Sequence, residues 1–115
     1  MKKTLKSIIA AAALVLAASA ASANGYVTSD TVGLVAHYNT NAIVFVSPAT
    51  QTITNKPACN TLSRWAIDGS TDSGKMMIAT IFQAKGMGTT LYFEGSGTCT
   101  LSSTSENLYY IHTSN

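Results

Sequence analysis

Apolar residues fall into one long uncharged run near the amino terminus and then into short alternating segments. The run is Ile8 to Ala18, built of Ile, Ala, Leu and Val. After it, Tyr26 to Tyr38 carries Val27, Val32, Leu34 and Val35 and reads as a long strand, with Gly33 marking a bend or bulge. Asn39-Thr40-Asn41 is a turn cluster, and Ile43-Val44-Phe45-Val46 is a compact β-branched and aromatic run ended by Ser47-Pro48. Together the two segments predict a hairpin. Gln51 to Thr54 can form a short edge strand before Pro57. Arg64 to Ile67 is the next strand, with Trp65 and Ile67 pointing one way and Arg64, Ala66 and Asp68 the other.

The period then changes. Asp72-Ser73 reads as a helix N-cap, because such side chains accept hydrogen bonds from unpaired backbone N–H groups. The helix is expected over Ser73 to Lys85, with Met77, Ile78, Ile81, Phe82 and Ala84 as its apolar stripe. Lys75, Thr80, Gln83 and Lys85 face outward, and Gly86 takes the C′ position. Thr89 to Glu94 is a strand in which Leu91 and Phe93 alternate with Tyr92 and Glu94. Asn107 to Thr113 is the last, with Tyr109 and Ile111 on one face and Leu108, Tyr110 and His112 on the other. The expected fold is mainly β with one helix (α+β): a small OB-like, five-stranded Greek-key barrel with the helix between the third and fourth main strands.

The amino-terminal run is read differently from the rest. Lys2, Lys3 and Lys6 precede it and Ala21-Ser22-Ala23 follows it. Positive head, apolar core and A-x-A site in that order predict a secretory signal peptide over 1–23, cut after Ala23, and a single domain over 24–115. The run is shorter than the ~20 residues of a membrane span, so no span is expected after cleavage and the mature chain is expected to be secreted or periplasmic. Removal of the leader also changes the charge. The chain has seven Lys plus Arg against five Asp plus Glu. Without the three leader lysines, Lys56, Arg64, Lys75 and Lys85 face Asp30, Asp68, Asp72, Glu94 and Glu106, and the balance turns slightly acidic. With no basic cluster, nucleic-acid binding has no electrostatic footing.

Both cysteines, Cys59 and Cys99, lie in the mature part. In an oxidising compartment they are expected to pair. A metal or redox pair is the rival reading, disfavoured by their distance apart and the lack of a CxxC or nearby histidine; no metal site and no cofactor are expected. Asp68 and Asp72 form a close acidic pair that a small hydrolase could use, but a strand end and a helix cap account for both. His37 and His112 stand alone. There is no G-x-S-x-G elbow, and Gly86-Met87-Gly88 closes a helix where a phosphate loop would open one. Aromatics are the better lead: Tyr92, Tyr109 and Tyr110 are the ligand-binding candidates, since exposed tyrosines stack on sugar rings or anchor protein partners. Trp65, in register with Ile67, is assigned to the core.

Cys59, Arg64-Trp65-Ala66-Ile67-Asp68, Gly74-Lys75, the Met-Ile-Phe helix, Gly95-Ser96-Gly97-Thr98-Cys99, Glu106 and Tyr109-Tyr110-Ile111 form an ordered series. This series resembles a group of small exported bacterial proteins and, more distantly, the B subunits of pertussis-like and subtilase-type A-B toxins. The likeness covers roughly Cys59 to Ile111. The toxin resemblance implies a disulfide-braced OB barrel, a pentameric ring and binding to host glycans; none of the toxins' sugar-contacting residues carries over by position.

These readings converge on a secreted or periplasmic, non-catalytic binding module for a host glycan or protein partner, with assembly into a homo-oligomer expected from the toxin resemblance. The alternative is a small exported protein-interaction or envelope protein with no sugar site. Mass spectrometry of protein recovered from cells should find an amino terminus at Asn24 and no free thiol; an intact Met1 or two free thiols would refute export and oxidation.

Overall fold

The computed structural model describes residues 23–114. The expected leader lies outside the described residues except for Ala23. Six strands and one helix follow in order: β1 (Tyr26–Asp30), β2 (Val32–His37), β3 (Ile43–Pro48), β4 (Trp65–Asp68), α1 (Asp72–Met87), β5 (Leu91–Gly95) and β6 (Glu106–Thr113). The strands form one curled, half-barrel sheet in the order β1-β5-β6-β4-β3-β2. Every pairing is antiparallel except β4 with β6, where Trp65 lies opposite Glu106 and Ala66 opposite Asn107.

The segment expected as one long strand is two. It breaks at Thr31, so that Asp30 pairs with Leu91 on β5 while Val32 pairs with Pro48 on β3. One continuous stretch of chain thus supplies both ends of the strand order. The break is held by Asp30, a buried carboxylate that accepts hydrogen bonds from the backbone N–H groups of Thr31 (2.8 Å), Thr50 (2.8 Å) and Gln51 (2.7 Å) and from the Thr50 hydroxyl (3.0 Å). The bulge expected near Gly33 is present as a register shift between Val32 and Val35. A Cβ at Gly33 would sit 2.7 Å from the Pro48 carbonyl oxygen, so β2 and β3 approach closely only because this residue has none. The short edge strand expected over Gln51–Thr54 reduces to one bridge, in which Tyr26 and Thr54 exchange both backbone hydrogen bonds.

The helix cap lies one residue before the expected Asp72-Ser73, and the helix begins at Asp72. Thr71 is extended (φ −91°, ψ 153°), and its hydroxyl accepts from the Gly74 N–H at 2.9 Å. Asp72 is inside the first turn, where its charge favours the dipole. Gly74 is required: a Cβ there would lie 1.8 Å from the Asp68 carbonyl oxygen. At the other end Gly86 remains helical, and Gly88 is the residue in the left-handed conformation (φ 68°), with its N–H bonded to the Ala84 carbonyl. Ile81 and Ala84 are buried, and Met77 and Ile78 pack against the core. Phe82, expected in the same stripe, is 52% exposed. It follows Ile81 by one residue, about 100° around the helix, which carries it past the edge of the packed face. Lys85 is exposed, but its Nζ donates to the Gly33 carbonyl oxygen of β2.

The core is Val27, Val32, Val46, Ile53, Trp65, Ile67, Ile81, Ala84, Leu91, Phe93 and Leu108. At its centre the rings of Trp65 and Phe93 stack at 5.1 Å and 8°. The alternation expected in β4 holds: Trp65 and Ile67 enter the core, while Ala66 lies opposite Phe45 on the other face, where Arg64 covers the Phe45 ring at 3.8 Å. Cys59 and Cys99 are bonded, with their Cα atoms 6.2 Å apart. The bridge ties the loop before β4 to the loop after β5. Closing a loop of about 40 residues is worth roughly 4 kcal/mol on the chain-entropy view. Denaturant unfolding of the protein with and without reductant should show a loss approaching that size, and Trp65→Ala should cost about 3–5 kcal/mol.

Candidate functional site

Two surfaces of β5 and β6 have opposite characters. Leu91 and Phe93 point into the core, so Tyr92 and Glu94 point out. Cross-strand register places His112 opposite Tyr92 and Tyr110 opposite Glu94 on β6, and Tyr26 of β1 opposite Glu94 on the other side. The outer face therefore carries three tyrosines and a histidine around one carboxylate. The Tyr92 and His112 rings stack at 4.9 Å and 12°; Tyr110 lies 6.1 Å from Tyr92 at 62° and 5.5 Å from His112 at 55°. The Tyr92 hydroxyl donates to Glu94 Oε2 at 2.9 Å. Burial raises the Tyr92 phenol above its ordinary value, and the hydrogen bond and charge of Glu94 add to the rise, so the donor stays protonated. Tyr92 is a fixed, half-buried base for the cluster. Tyr110, 48% exposed, and His112 present rings to solvent.

Of the three tyrosine candidates, the structure brings Tyr92 and Tyr110 together and separates Tyr109. Register shifts by one residue between Glu94–Tyr110 and Gly95–Leu108, which makes Tyr109 the extra residue of a β-bulge. The bulge breaks the alternation expected for β6 at Leu108 and Tyr109 and leaves it intact from Tyr110 to His112. Leu108 turns into the core, while Tyr110 and His112 stay outside. Tyr109 projects at 67% exposure beside a separate cleft of about 430 Å³ that Asp68, Ser73, Ser96 and Thr98 also line. Tyr26, Glu94 and His112 were not among the sequence candidates. The alternation of Tyr92 with Glu94 and of Tyr110 with His112 is visible along the chain, but only the strand pairing shows that they adjoin.

Asp68 and Asp72 each have a structural place. Asp68 Oδ1 accepts from the Ser70 N–H (2.9 Å) and hydroxyl (2.6 Å), which hold its carboxyl below the ordinary range, and Asp72 lies in the first turn of α1. No group of three or more His, Cys, Asp or Glu among the described residues could hold a metal ion.

Among the described residues the most buried acidic group is Glu106, with no exposed surface. Its Oε1 accepts from the N–H groups of Gly25 (3.0 Å) and Gly97 (2.8 Å). Gly95 lies directly against the carboxyl: a Cβ there would fall 2.1 Å from Glu106 Cδ. Burial pushes this carboxyl upward against those two N–H donors and the nearby Trp65 indole and Asn60 amide. Neither Trp65 Nε1 nor Asn60 Nδ2 is within hydrogen-bonding limits of a partner, and Glu106 Oε2 has none either. Glu106 is therefore a structural node, with no opening to a ligand.

No protein-family model, curated protein or solved structure matches the chain.

The two buried carboxylates give opposite pH slopes. Glu106 binds its proton more tightly folded than unfolded, so its contribution is full below the ordinary glutamate range and is lost as pH rises through its raised value. For Asp30, burial raises the carboxyl but the donors from Gln51, Thr50 and Thr31 outweigh it; its contribution is present at neutral pH and lost as pH falls through its lowered value. Unfolding measured across pH should show that Glu106→Gln lowers stability by about 1–3 kcal/mol and abolishes the decline on the alkaline side of the glutamate range, while Asp30→Asn removes the acid-side loss.

Proposed function

We infer that the chain is an exported, non-catalytic binding module whose β5–β6 outer face takes a glycan. The observation that carries this reading is the Tyr92–Tyr110–His112 cluster packed around Glu94. Aromatic rings held by stacking offer apolar faces to the C–H side of a sugar ring at little entropic cost, and a neighbouring carboxylate accepts hydrogen bonds from its hydroxyls. Tyr110 and His112 are exposed, which suits a sugar ring lying on them. Export is supported by the amino-terminal pattern through Ala23 and by the Cys59–Cys99 bond, which belongs to oxidising compartments. Among the described residues, no helix is long and apolar enough to cross a membrane.

The sheet supports an OB-like reading of the fold. With β1 and β2 counted as one strand bent at Thr31, the order has five members, one parallel pair and the helix between the third and fourth. That reading agrees with the toxin B-subunit resemblance.

A glycan array probed with the mature protein should give saturable binding. Tyr110→Ala and His112→Ala should each weaken it about tenfold, the equivalent of ~1.4 kcal/mol, while Tyr109→Ala leaves it unchanged. Absence of binding to any sugar, or loss only with Tyr109→Ala, would overturn the assignment to this face.

A further inference from the structure

A second site lies away from the tyrosine face, over the outer side of β2, β3 and the loop before β4. A cleft of about 440 Å³ opens there, with Leu34, Pro48, Ile53 and Leu62 as its apolar wall and Ser63 and Arg64 at its polar side. Arg64 is unusually well positioned. Its guanidinium stacks on Phe45 at 3.8 Å, and its Nε donates to the Ser105 hydroxyl at 2.9 Å. Among the described residues Nε is the one guanidinium nitrogen with a hydrogen bond, so the two terminal nitrogens of the fork are unengaged.

No carboxylate of the described chain answers this charge. Asp30 is taken up by Thr31, Thr50 and Gln51, Asp68 by Ser70, Glu94 by Tyr92 and Glu106 by Gly25 and Gly97. Asp72 is in the first turn of α1, and no acidic residue lines the cleft. A second cation stands behind the rim: Lys56 Nζ donates to the Ser63 hydroxyl at 2.8 Å. Two of the four basic residues beyond the leader thus converge here. Ser63 itself is held in the left-handed region (φ 51°), a conformation a non-glycine residue adopts where its surroundings demand it.

We propose that this cleft binds a small organic carboxylate that carries an apolar group. A carboxylate pairs with an arginine fork through two parallel N–H···O bonds, and Arg64 is pre-oriented for that by its stacking and by Ser105. The apolar body of the acid would lie against Leu34, Pro48 and Leu62, two of which are otherwise large exposed hydrophobics. A bare inorganic anion makes no use of that wall. The site is independent of the tyrosine face, and neither assignment needs the other.

Amide-resolved NMR titration of the mature protein with sodium benzoate tests the assignment, with benzamide and inorganic phosphate as comparison probes. Benzoate should produce saturable shifts centred on Leu34, Thr52 and Ser63, with a dissociation constant of order 1 mM. Benzamide should shift the same amides at least ~10-fold more weakly, because it lacks the charge that makes the pair strong. Arg64→Gln should abolish the benzoate response. Since Arg64 also packs on Phe45, Leu62→Glu is the second variant: it sets a carboxylate at an exposed rim position and should block benzoate while leaving the spectrum folded. Tyr110→Ala should bind benzoate normally. Equal affinity for benzoate and benzamide, phosphate binding as tight as benzoate, or undiminished binding in Leu62→Glu would each overturn the proposal.

Discussion

The fold depends on one buried carboxylate. Glu106 starts β6, and its side chain reaches the backbone of Gly25 ahead of β1 and of Gly97 in the loop after β5. Its own residue pairs with Trp65 of β4, the sheet's parallel neighbour. The chain around Gly25, Trp65 and Gly97 therefore meets at this one residue. A carboxyl in such a place needs donors, and the two that reach Oε1 are backbone N–H groups that need partners themselves. Glycine at 25 and 95 is the steric condition: a Cβ at either position would collide with the carboxyl. The disulfide closes the same region from the outside, tying the loop before β4 to the loop that leads into β6.

Asp30 plays a comparable part at the opposite end of the sheet. It lets the chain leave one sheet edge and join the other within a single residue, because its two oxygens take up the N–H groups of the Thr50–Gln51 loop as well as that of Thr31. The two acids thus fix where the curled sheet begins and how its first segment is shared. Both surfaces assigned to ligands follow from this frame. The tyrosine face is the outside of β5 and β6 next to β1, and the Arg64 cleft is the outside of β2 and β3 next to the loop before β4.

Much of the architecture was legible along the chain. Periodicity located the β3, β4, β5 and β6 segments and the helix, since alternation and the 3.6-residue period are local properties of apolar spacing. The disulfide was expected from two cysteines in a chain whose amino terminus has the pattern of an export leader. Helix ends were displaced by one or two residues because several capping residues adjoin: Thr71, Asp72 and Ser73 at one end, Gly86 and Gly88 at the other, and backbone geometry chose among them. The division of the first strand at Thr31 had no local mark. Asp30 sits among strand formers, and its role exists only through a loop some twenty residues later.

The same distinction holds for function. Sequence alone set the expectation of export, and it determined the oxidised pair, the element types and the aromatic character of the last two strands, because each is set by composition or by neighbours within a few residues. Tertiary structure decided that Tyr92, Tyr110 and His112 form one surface with Glu94 and Tyr26 while Tyr109 does not. It also decided that Glu106 is buried, and that Arg64 faces a cleft without a carboxylate partner. These depend on strand register and on a one-residue bulge, and register is the outcome of packing a whole sheet at once, which no stretch of the chain encodes on its own.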